Sequence, residues 1–156
     1  MVDVSDKGIT ERRARAAADV SLSPAADSAL RTGRLPKGGA VEVVRLAAIQ
    51  AAKQCSTLIP LCHPLRLTRV DAALERVGAG RWRIATEVVA LDRTGVEMEA
   101  LTAAAIGALA LYDMVKAIDR SASIGQVVLL SKSGGRSGDY VRGDAKPARV
   151  RGRNGR

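Results

Sequence analysis

One long apolar segment, from Thr94 to Asp119, limits what this 156-residue chain can fold into. Between Ala100 and Tyr112 its only polar side chain is that of Thr102, so a helix here is buried on most sides. At 100° per residue, five of its side chains fall within one arc of roughly 60°: Glu99, Thr102, Ile106, Asp113 and Lys116. The segment predicts a core helix with a single polar stripe. Because the rest of its surface is apolar, we also expect part of it to lie in a subunit interface.

Apolar and polar residues alternate in four other stretches, which is typical of half-buried strands. These stretches span residues 13–22, 68–74, 82–91 and 124–130. The Gly-Ala-Gly turn at 78–80 joins the second and third of them into a predicted hairpin. Ser23 and Pro24 predict the start of a short helix that ends at Gly33.

A longer helix is predicted from about Ala40 to Thr57, because its apolar residues recur with helical spacing. Its predicted buried face consists of Val43, Val44, Ala47, Ala48, Ala51, Cys55 and Leu58. The order of elements is then strand, helices, strand, strand, helix, strand. This order predicts an α+β protein with the ferredoxin-like (split βαβ) arrangement, in which helices pack on one face of an antiparallel sheet.

The positive charge is unevenly distributed along the chain. Residues 141–156 hold six Lys or Arg and one Asp, which accounts for five of the nine net positive charges. We expect a single catalytic domain at 1–140 followed by a basic, disordered tail at 141–156. A modestly basic domain suits an anionic ligand such as a phosphorylated small molecule. The alternative is a basic RNA-associated ferredoxin-like module without enzymatic activity, but it requires stacking aromatics, and the chain has only three aromatic residues.

Other compositional features point to a cytoplasmic protein without a metal or cofactor. No apolar run of about 18 residues indicates a transmembrane helix, and the polar start MVDVSDKGITERR lacks the apolar stretch of a signal peptide. Cys55 and Cys62 fit neither a disulfide framework nor a zinc spacing. His63 is the single histidine, so we expect no metal site.

Three features are candidates for chemistry, and each also has a purely structural interpretation. Asp113 and Lys116 stand three residues apart, as in an ordinary salt bridge on a helix surface. His63 lies in a loop constrained by two prolines, where it is either structural or able to exchange a proton near neutral pH. The loop SKSGGRSGD at 131–139 is either a solvated turn or a phosphate cradle of backbone amides with Lys132 and Arg136.

Five segments taken together carry a family resemblance: MVDVS at the start, LIPLCHPL at 58–65, DRTGVEMEALTAA at 92–104, LYDMVKAID at 111–119 and SKSGGRSGDY at 131–140. Through them residues 1–140 closely resemble the cyclic pyranopterin monophosphate synthase family, also called molybdenum cofactor biosynthesis protein C (MoaC). The resemblance implies conversion of (8S)-3′,8-cyclo-7,8-dihydroguanosine 5′-triphosphate to cyclic pyranopterin monophosphate and diphosphate. It also implies a ferredoxin-like protomer in a homohexamer, a trimer of dimers with sites at subunit interfaces.

The resemblance further implies which residues form the site. Asp113 is the catalytic acid and Lys116 its partner. Residues of the substrate pocket are Leu61, Cys62, His63, Met98 and Glu99, and basic residues around the triphosphate and pterin are Lys37, Lys53 and Lys132, with Lys7 and Arg12 near the start.

The positions of Glu99 and Lys116 raise a question of geometry. They are 17 residues apart, which is roughly 25 Å along one helix, too far for both to contact one small substrate from one copy of the chain. Either the helix breaks near Gly107, or two subunits each contribute one end. We expect two subunits.

Overall fold

The structure is a computed structural model and describes residues 1–143. Its helices and strands follow the order predicted from the periodicity, with one short helix and one short strand in addition. In chain order they are β1 (Thr10–Ser21), α1 (Pro24–Arg31), α2 (Ala40–Lys53), α3 (Cys55–Leu58), β2 (Leu67–Gly78), β3 (Arg81–Asp92), α4 (Glu97–Val115), β4 (Ser123–Ser133) and β5 (Tyr140–Val141).

The strands form one antiparallel sheet in the order β2-β3-β1-β4-β5. This topology, with α2 and α4 packed together on the sheet, confirms the predicted α+β class. Alternation along β1 directs Ala14, Ala16, Ala18 and Val20 into the core beneath the helices. The small side chains allow α4 to lie close to the sheet.

Charged residues occupy the opposite face of the sheet. Glu87 on β3 is buried there among three arginines, with salt bridges of 3.0 Å to Arg13, 2.9 Å to Arg15 and 3.4 Å to Arg69. The three arginine side chains are themselves partly exposed to solvent. Polar residues of β1, β2 and β3 on this face are therefore joined in one ion-pair network.

Helix α4 is the centre of the molecule, as its apolar sequence predicted. It contacts α2 as well as strands β1, β3 and β4. It is also long and apolar enough to cross a membrane by length and composition, contrary to the expectation that no such segment exists, but more than half of it is buried inside the molecule. The buried part of its apolar surface is therefore explained by its position in the protein core, and the placement of the rest in a subunit interface stays a prediction.

The predicted helix at 40–57 is wrong in two respects. The chain interrupts it at Gln54, so α2 ends at Lys53 and α3 begins at Cys55. Val43 and Leu58, both predicted to be buried, are 41% and 50% exposed. Val43 is one residue, and hence about 100°, away from the buried Val44, and the interruption removes Leu58 from the helical phase.

The last predicted strand, at 124–130, is longer than the alternating pattern indicated. Lys132 and Ser133 belong to β4, and the pair β4–β5 continues the sheet to Val141. The Arg142 amide donates to the Leu130 carbonyl at 2.8 Å. The first residues assigned to the basic tail are therefore hydrogen-bonded to the sheet, whereas the rest of the predicted tail, 144–156, lies outside the described residues.

Candidate active site

The first group of candidate residues lies at the C-terminal end of α4. Asp113 is in the last turn of the helix, and the Lys116 amide donates to the Tyr112 carbonyl at 2.9 Å. Lys37 reaches the same place from the loop that precedes α2. This loop is anchored by the buried Leu35 and turned by Gly38, whose positive φ of 87° favours glycine.

The three side chains of this group form one ion-pair cluster. Lys116 Nζ lies 2.7 Å from Asp113 Oδ1, and Lys37 Nζ lies 2.5 Å from Asp113 Oδ2. Lys116 and then Lys37 lower the pKa of Asp113 to about 2, and Asp113 in turn raises the pKa of Lys116. All three side chains are about half exposed. The cluster is therefore a solvent-accessible arrangement in which one carboxylate bridges two lysine side chains.

The second group lies at the N-terminal end of the same helix. A cavity of about 290 Å³ is lined by Val2, Val4, Lys7, Leu61, Cys62, His63, Thr94 and Glu99. The N-terminal segment that forms one wall is held in place by side chains from other parts of the chain. Arg93 donates to the Ser5 carbonyl, and Arg136 donates to the Asp6 carbonyl at 3.2 Å.

Glu99 is the carboxylate of this cavity. It lies in the first turn of α4 and is only 4% exposed. Burial raises its pKa above the ordinary value, an effect that the Cys55 thiol partly offsets by hydrogen bonding. A buried carboxyl group with a raised pKa in a cavity is a common property of proton-transfer sites.

The loop at 134–139 lies beside the second group. Gly134 and Gly135 both have positive φ, 89° and 85°, so consecutive amides can converge on an anion. The Gly134 amide, however, donates to the carboxylate of Asp139 at 3.3 Å. Lys132 donates to Ser137 and lies 3.8 Å from Glu97. Both the solvated turn and the phosphate cradle proposed from the sequence remain compatible with this loop.

Several predicted site residues lie elsewhere. Lys53 is in a different cavity, of about 320 Å³, lined by Ile49, Lys53, Leu65, Leu67, Thr68, Arg69 and Val70. Met98 is 38% exposed and does not line the cavity of Glu99. Arg12 is buried and donates to the carbonyls of Asp92 and Arg93 at 3.2 and 3.3 Å, which stabilises the turn into α4.

Sequence reasoning missed Thr94 and Glu97 as neighbours of the candidate site. Thr94 lines the cavity of Glu99, and Glu97 is the acidic partner of Lys132. Both stand in the segment DRTGVEMEA, next to residues that were identified. A signal was present, because Thr94 and Glu97 stand within a few residues of Glu99 at the start of α4.

Among residues 1–143, no cluster of three or more His, Cys, Asp or Glu side chains has the arrangement of a metal site. The structure also gives no support to the RNA-binding alternative. Trp82 is buried and its indole N–H donates to Asp27 at 2.8 Å, so this ring cannot stack on a base.

Most of this chain is similar in sequence to known proteins. A family model described as the MoaC family matches residues 1–135. Cyclic pyranopterin monophosphate synthase 3 of Mycobacterium tuberculosis (strain ATCC 25618 / H37Rv) is 50% identical over 145 residues, which cover 93% of this chain and 82% of that protein. The cyclic pyranopterin monophosphate synthases of Herpetosiphon aurantiacus and Parvibaculum lavamentivorans are 50% and 49% identical over 141 residues, 90% of this chain and 86% and 88% of theirs.

Proposed function

Because the chain belongs to the MoaC family, we propose that it is a cyclic pyranopterin monophosphate synthase of molybdenum cofactor biosynthesis. It converts (8S)-3′,8-cyclo-7,8-dihydroguanosine 5′-triphosphate to cyclic pyranopterin monophosphate and diphosphate. The observation that carries this conclusion is the 49–50% identity to synthases over more than four fifths of their length.

The reaction makes two demands on the protein. Rearranging a guanine-derived ring system into a pterin requires several proton transfers, for which a positioned acid and base are needed. Closing the cyclic phosphate expels diphosphate, whose negative charge is stabilised by nearby cations. The lysines at one end of α4 and the basic residues at the other, Lys7 and Lys132, suit the second demand.

In this proposal Lys116 is the general acid and Asp113 orients it. This differs from the catalytic-acid role that the resemblance implies for Asp113, because a carboxyl group with a pKa of about 2 has no proton to donate at neutral pH. Asp113 raises the pKa of Lys116, so the ammonium group carries its proton at neutral pH and can donate it to a leaving or rearranging atom. The second oxygen of Asp113 is bound by Lys37. This contact prevents the carboxylate from rotating away and adds a second positive charge for the triphosphate.

The complete site is shared between two subunits. Helix α4 continues unbroken from Glu97 to Val115, so its two ends are separated by roughly 25 Å. The Lys37–Asp113–Lys116 cluster of one protomer then faces the cavity of Leu61, Cys62, His63 and Glu99 of another. Such sharing fits a homohexamer built as a trimer of dimers, in the cytoplasm, in which further basic residues such as Lys53 and exposed residues such as Met98 approach a substrate from a neighbouring subunit.

The test of the function is turnover of the authentic triphosphate, measured as released diphosphate and as the fluorescent oxidised pterin. The wild-type protein is expected to form both products. We expect Lys116→Ala to lower kcat by about 100-fold or more, in the range for loss of a general acid. Arg120→Ala is the matched control, since Arg120 is an exposed cation just beyond the helix.

Two outcomes would contradict parts of this proposal. Absence of both products with the wild-type protein contradicts the function itself. Full turnover by Lys116→Ala in an assembly of wild-type size contradicts only the role of Lys116, since other groups then supply the proton.

A further inference from the structure

Asp119, just beyond the C-terminal end of α4, is a buried carboxylate that the proposed chemistry does not use. It is only 5% exposed. Its Oδ2 accepts a hydrogen bond from the Ser23 amide at 2.6 Å. Its Oδ1 accepts two hydrogen bonds from Ser121, from the amide at 3.0 Å and from the hydroxyl at 2.6 Å. Hydrogen bonds from Ser121 and Ser23 hold the pKa of Asp119 below its ordinary value of 3.8, so the ionised group accepts on both oxygens at neutral pH.

The hydrogen bonds of Asp119 join two separate elements. Ser23 caps the N-terminus of α1, where its hydroxyl accepts from the Ala26 amide at 3.4 Å. The Asp119 amide donates to the carbonyl of Val115, the last residue of α4, at 2.9 Å. The start of α1 is therefore tied to the turn that follows α4, and a carboxylate at the N-terminal end of a helix is electrostatically favourable.

Each of the two joined elements delivers one lysine of the cluster around Asp113. Lys116 lies in the turn between Val115 and Asp119, and Lys37 follows α1 through a loop that is fixed by backbone hydrogen bonds. These bonds run from the Thr32 amide to the Ser28 carbonyl at 3.0 Å, from the Arg34 amide to the Ala29 carbonyl at 2.9 Å and from the Gly38 amide to the Leu35 carbonyl at 3.0 Å. Because the loop is fixed to α1, the position of α1 against α4 sets where both ammonium groups meet the carboxylate.

We infer that Asp119 is a positioning residue of the candidate active site, which holds the turn of Lys116 and the helix before Lys37 at fixed positions relative to Asp113. It acts through the backbone of these two segments. The distances of 2.7 Å and 2.5 Å from the two ammonium nitrogens to the Asp113 carboxylate depend on this connection. The consequence for turnover rests on the proposed function, whereas the consequence for the ion pairs does not.

The experiment replaces Asp119 by asparagine. The amide side chain has one acceptor oxygen and one donor NH2 group, so in either orientation the NH2 group faces an N–H donor of Ser23 or of Ser121 and an attachment is lost. Glu87→Gln is the matched control. It also neutralises a buried carboxylate, but Glu87 lies on the face of the sheet opposite α4.

The ion pair of Lys116 is measured without reference to turnover. The full-length protein is treated with a trace of acetic anhydride at mildly alkaline pH, and mass spectrometry gives the acetylation rate of Lys116 relative to that of the exposed Lys53. The groups that face the Lys116 ammonium are Asp113 and Tyr112 on α4, of which Asp113 has the larger effect and raises the pKa of Lys116, and Lys37, which binds the other oxygen of Asp113. Acetylation requires the unprotonated amine, so a loosened ion pair makes Lys116 react faster.

We expect this acetylation ratio to rise about two- to fivefold in Asp119→Asn, the range that corresponds to loss of an exposed ion pair. In Glu87→Gln the ratio is expected to stay at the wild-type value, because a general loss of stability exposes both lysines equally. Ser121→Ala removes only the hydroxyl donor, at an exposed position. It is expected to raise the ratio in the same direction by less, and it decides the question if Asp119→Asn does not fold.

Turnover of the authentic triphosphate is measured at equal folded fraction. We expect Asp119→Asn to lower kcat by about 100-fold, the loss that a displacement of about 1 Å in the reacting groups produces. Glu87→Gln is expected to keep the wild-type kcat, since its carboxylate does not hold either lysine of the cluster.

Two results would overturn the inference. The first is an unchanged acetylation ratio in Asp119→Asn, or in Ser121→Ala where Asp119→Asn does not fold. The second is an equal loss of turnover in Asp119→Asn and Glu87→Gln at equal folded fraction, because a general structural role then accounts for it. If the wild-type protein lacks synthase activity altogether, the proposed function fails, while the acetylation ratio still decides whether Asp119 holds the ion pair.

Discussion

Asp113 has a different environment from the one that its local sequence suggests. Spacing alone predicted a salt bridge to Lys116 at i,i+3, which the structure confirms. The second partner, Lys37, is 76 residues away in the chain, and no local pattern distinguishes it from an ordinary surface lysine. The pair becomes a cluster of two cations and one anion only because the loop before α2 passes the end of α4.

Glu99 supports a prediction about stability and pH. Because burial raises its pKa, the folded protein binds this proton more tightly than the unfolded chain does. The favourable contribution of Glu99 to stability is therefore complete below the ordinary pKa of 4.5, and it is lost as pH rises through the higher folded-state pKa. We expect Glu99→Gln to raise the urea midpoint of unfolding relative to wild type at pH 7 and to have little effect at pH 4.

This comparison is made at one fixed protein concentration, because subunit association also affects the midpoint. Glu42→Gln is a suitable control, since Glu42 is an exposed residue in the first turn of α2. A Glu99→Gln protein that is less stable than wild type at pH 7, or equally shifted at both pH values, contradicts the sign of the argument.

At the scale of elements, α4 was predicted correctly as a core helix. Two explanations were offered for the distance between its ends, and the first of them, a broken helix, is wrong. A break near Gly107 is absent, and the helix is continuous through this residue. Gly107 instead lies where α4 crosses α2 and β3. A β-carbon added there would lie 2.9 Å from Cγ2 of Ile84 and 3.4 Å from Cβ of Ala48. The glycine therefore permits close packing of three elements.

We expect Gly107→Ala to lower the melting temperature. Alanine favours an exposed helix over glycine by about 1 kcal/mol, but overpacking a core costs about 1–3 kcal/mol. Ile84 is fully buried, so its side chain cannot move out into solvent, and the packing cost should exceed the helical gain. Gly8→Ala is the matched control, since a β-carbon at Gly8 meets nothing within 4 Å. A raised melting temperature for Gly107→Ala would contradict this prediction, because it would show that the neighbouring side chains accommodate the added methyl group.

At the scale of the whole molecule, the candidate residues form two separate groups at opposite ends of one rigid helix. The cluster around Asp113 contains three of them, and the cavity of Glu99 contains five: Lys7, Leu61, Cys62, His63 and Glu99. The two groups share no residue. Lys37 and Lys116 belong to the first group, and His63 belongs to the second. A site shared between subunits predicts that defects in different groups complement each other.

Mixed assemblies provide the measurement. We expect Lys116→Ala and His63→Ala each to be inactive and their coexpressed mixture to recover about a quarter of wild-type turnover, because a random pairing across each interface restores one site in four. Lys116→Ala mixed with Asp113→Ala is the control, because both changes damage the same group and no pairing repairs it. Failure to recover in assemblies that mass spectrometry shows to be mixed contradicts the shared site.

Periodicity by itself determined the strands, the core helix α4 and the antiparallel α+β class, because alternation and helical spacing are local consequences of backbone geometry. Contiguous motifs likewise identified the family and most of the residues in the cavity. Only the tertiary structure decided that Lys37 reaches Asp113, that Gly107 is a packing contact and that Lys53 lies in another cavity. These contacts join side chains through loops and crossings, where burial and steric fit select the partner and no repeating pattern records it.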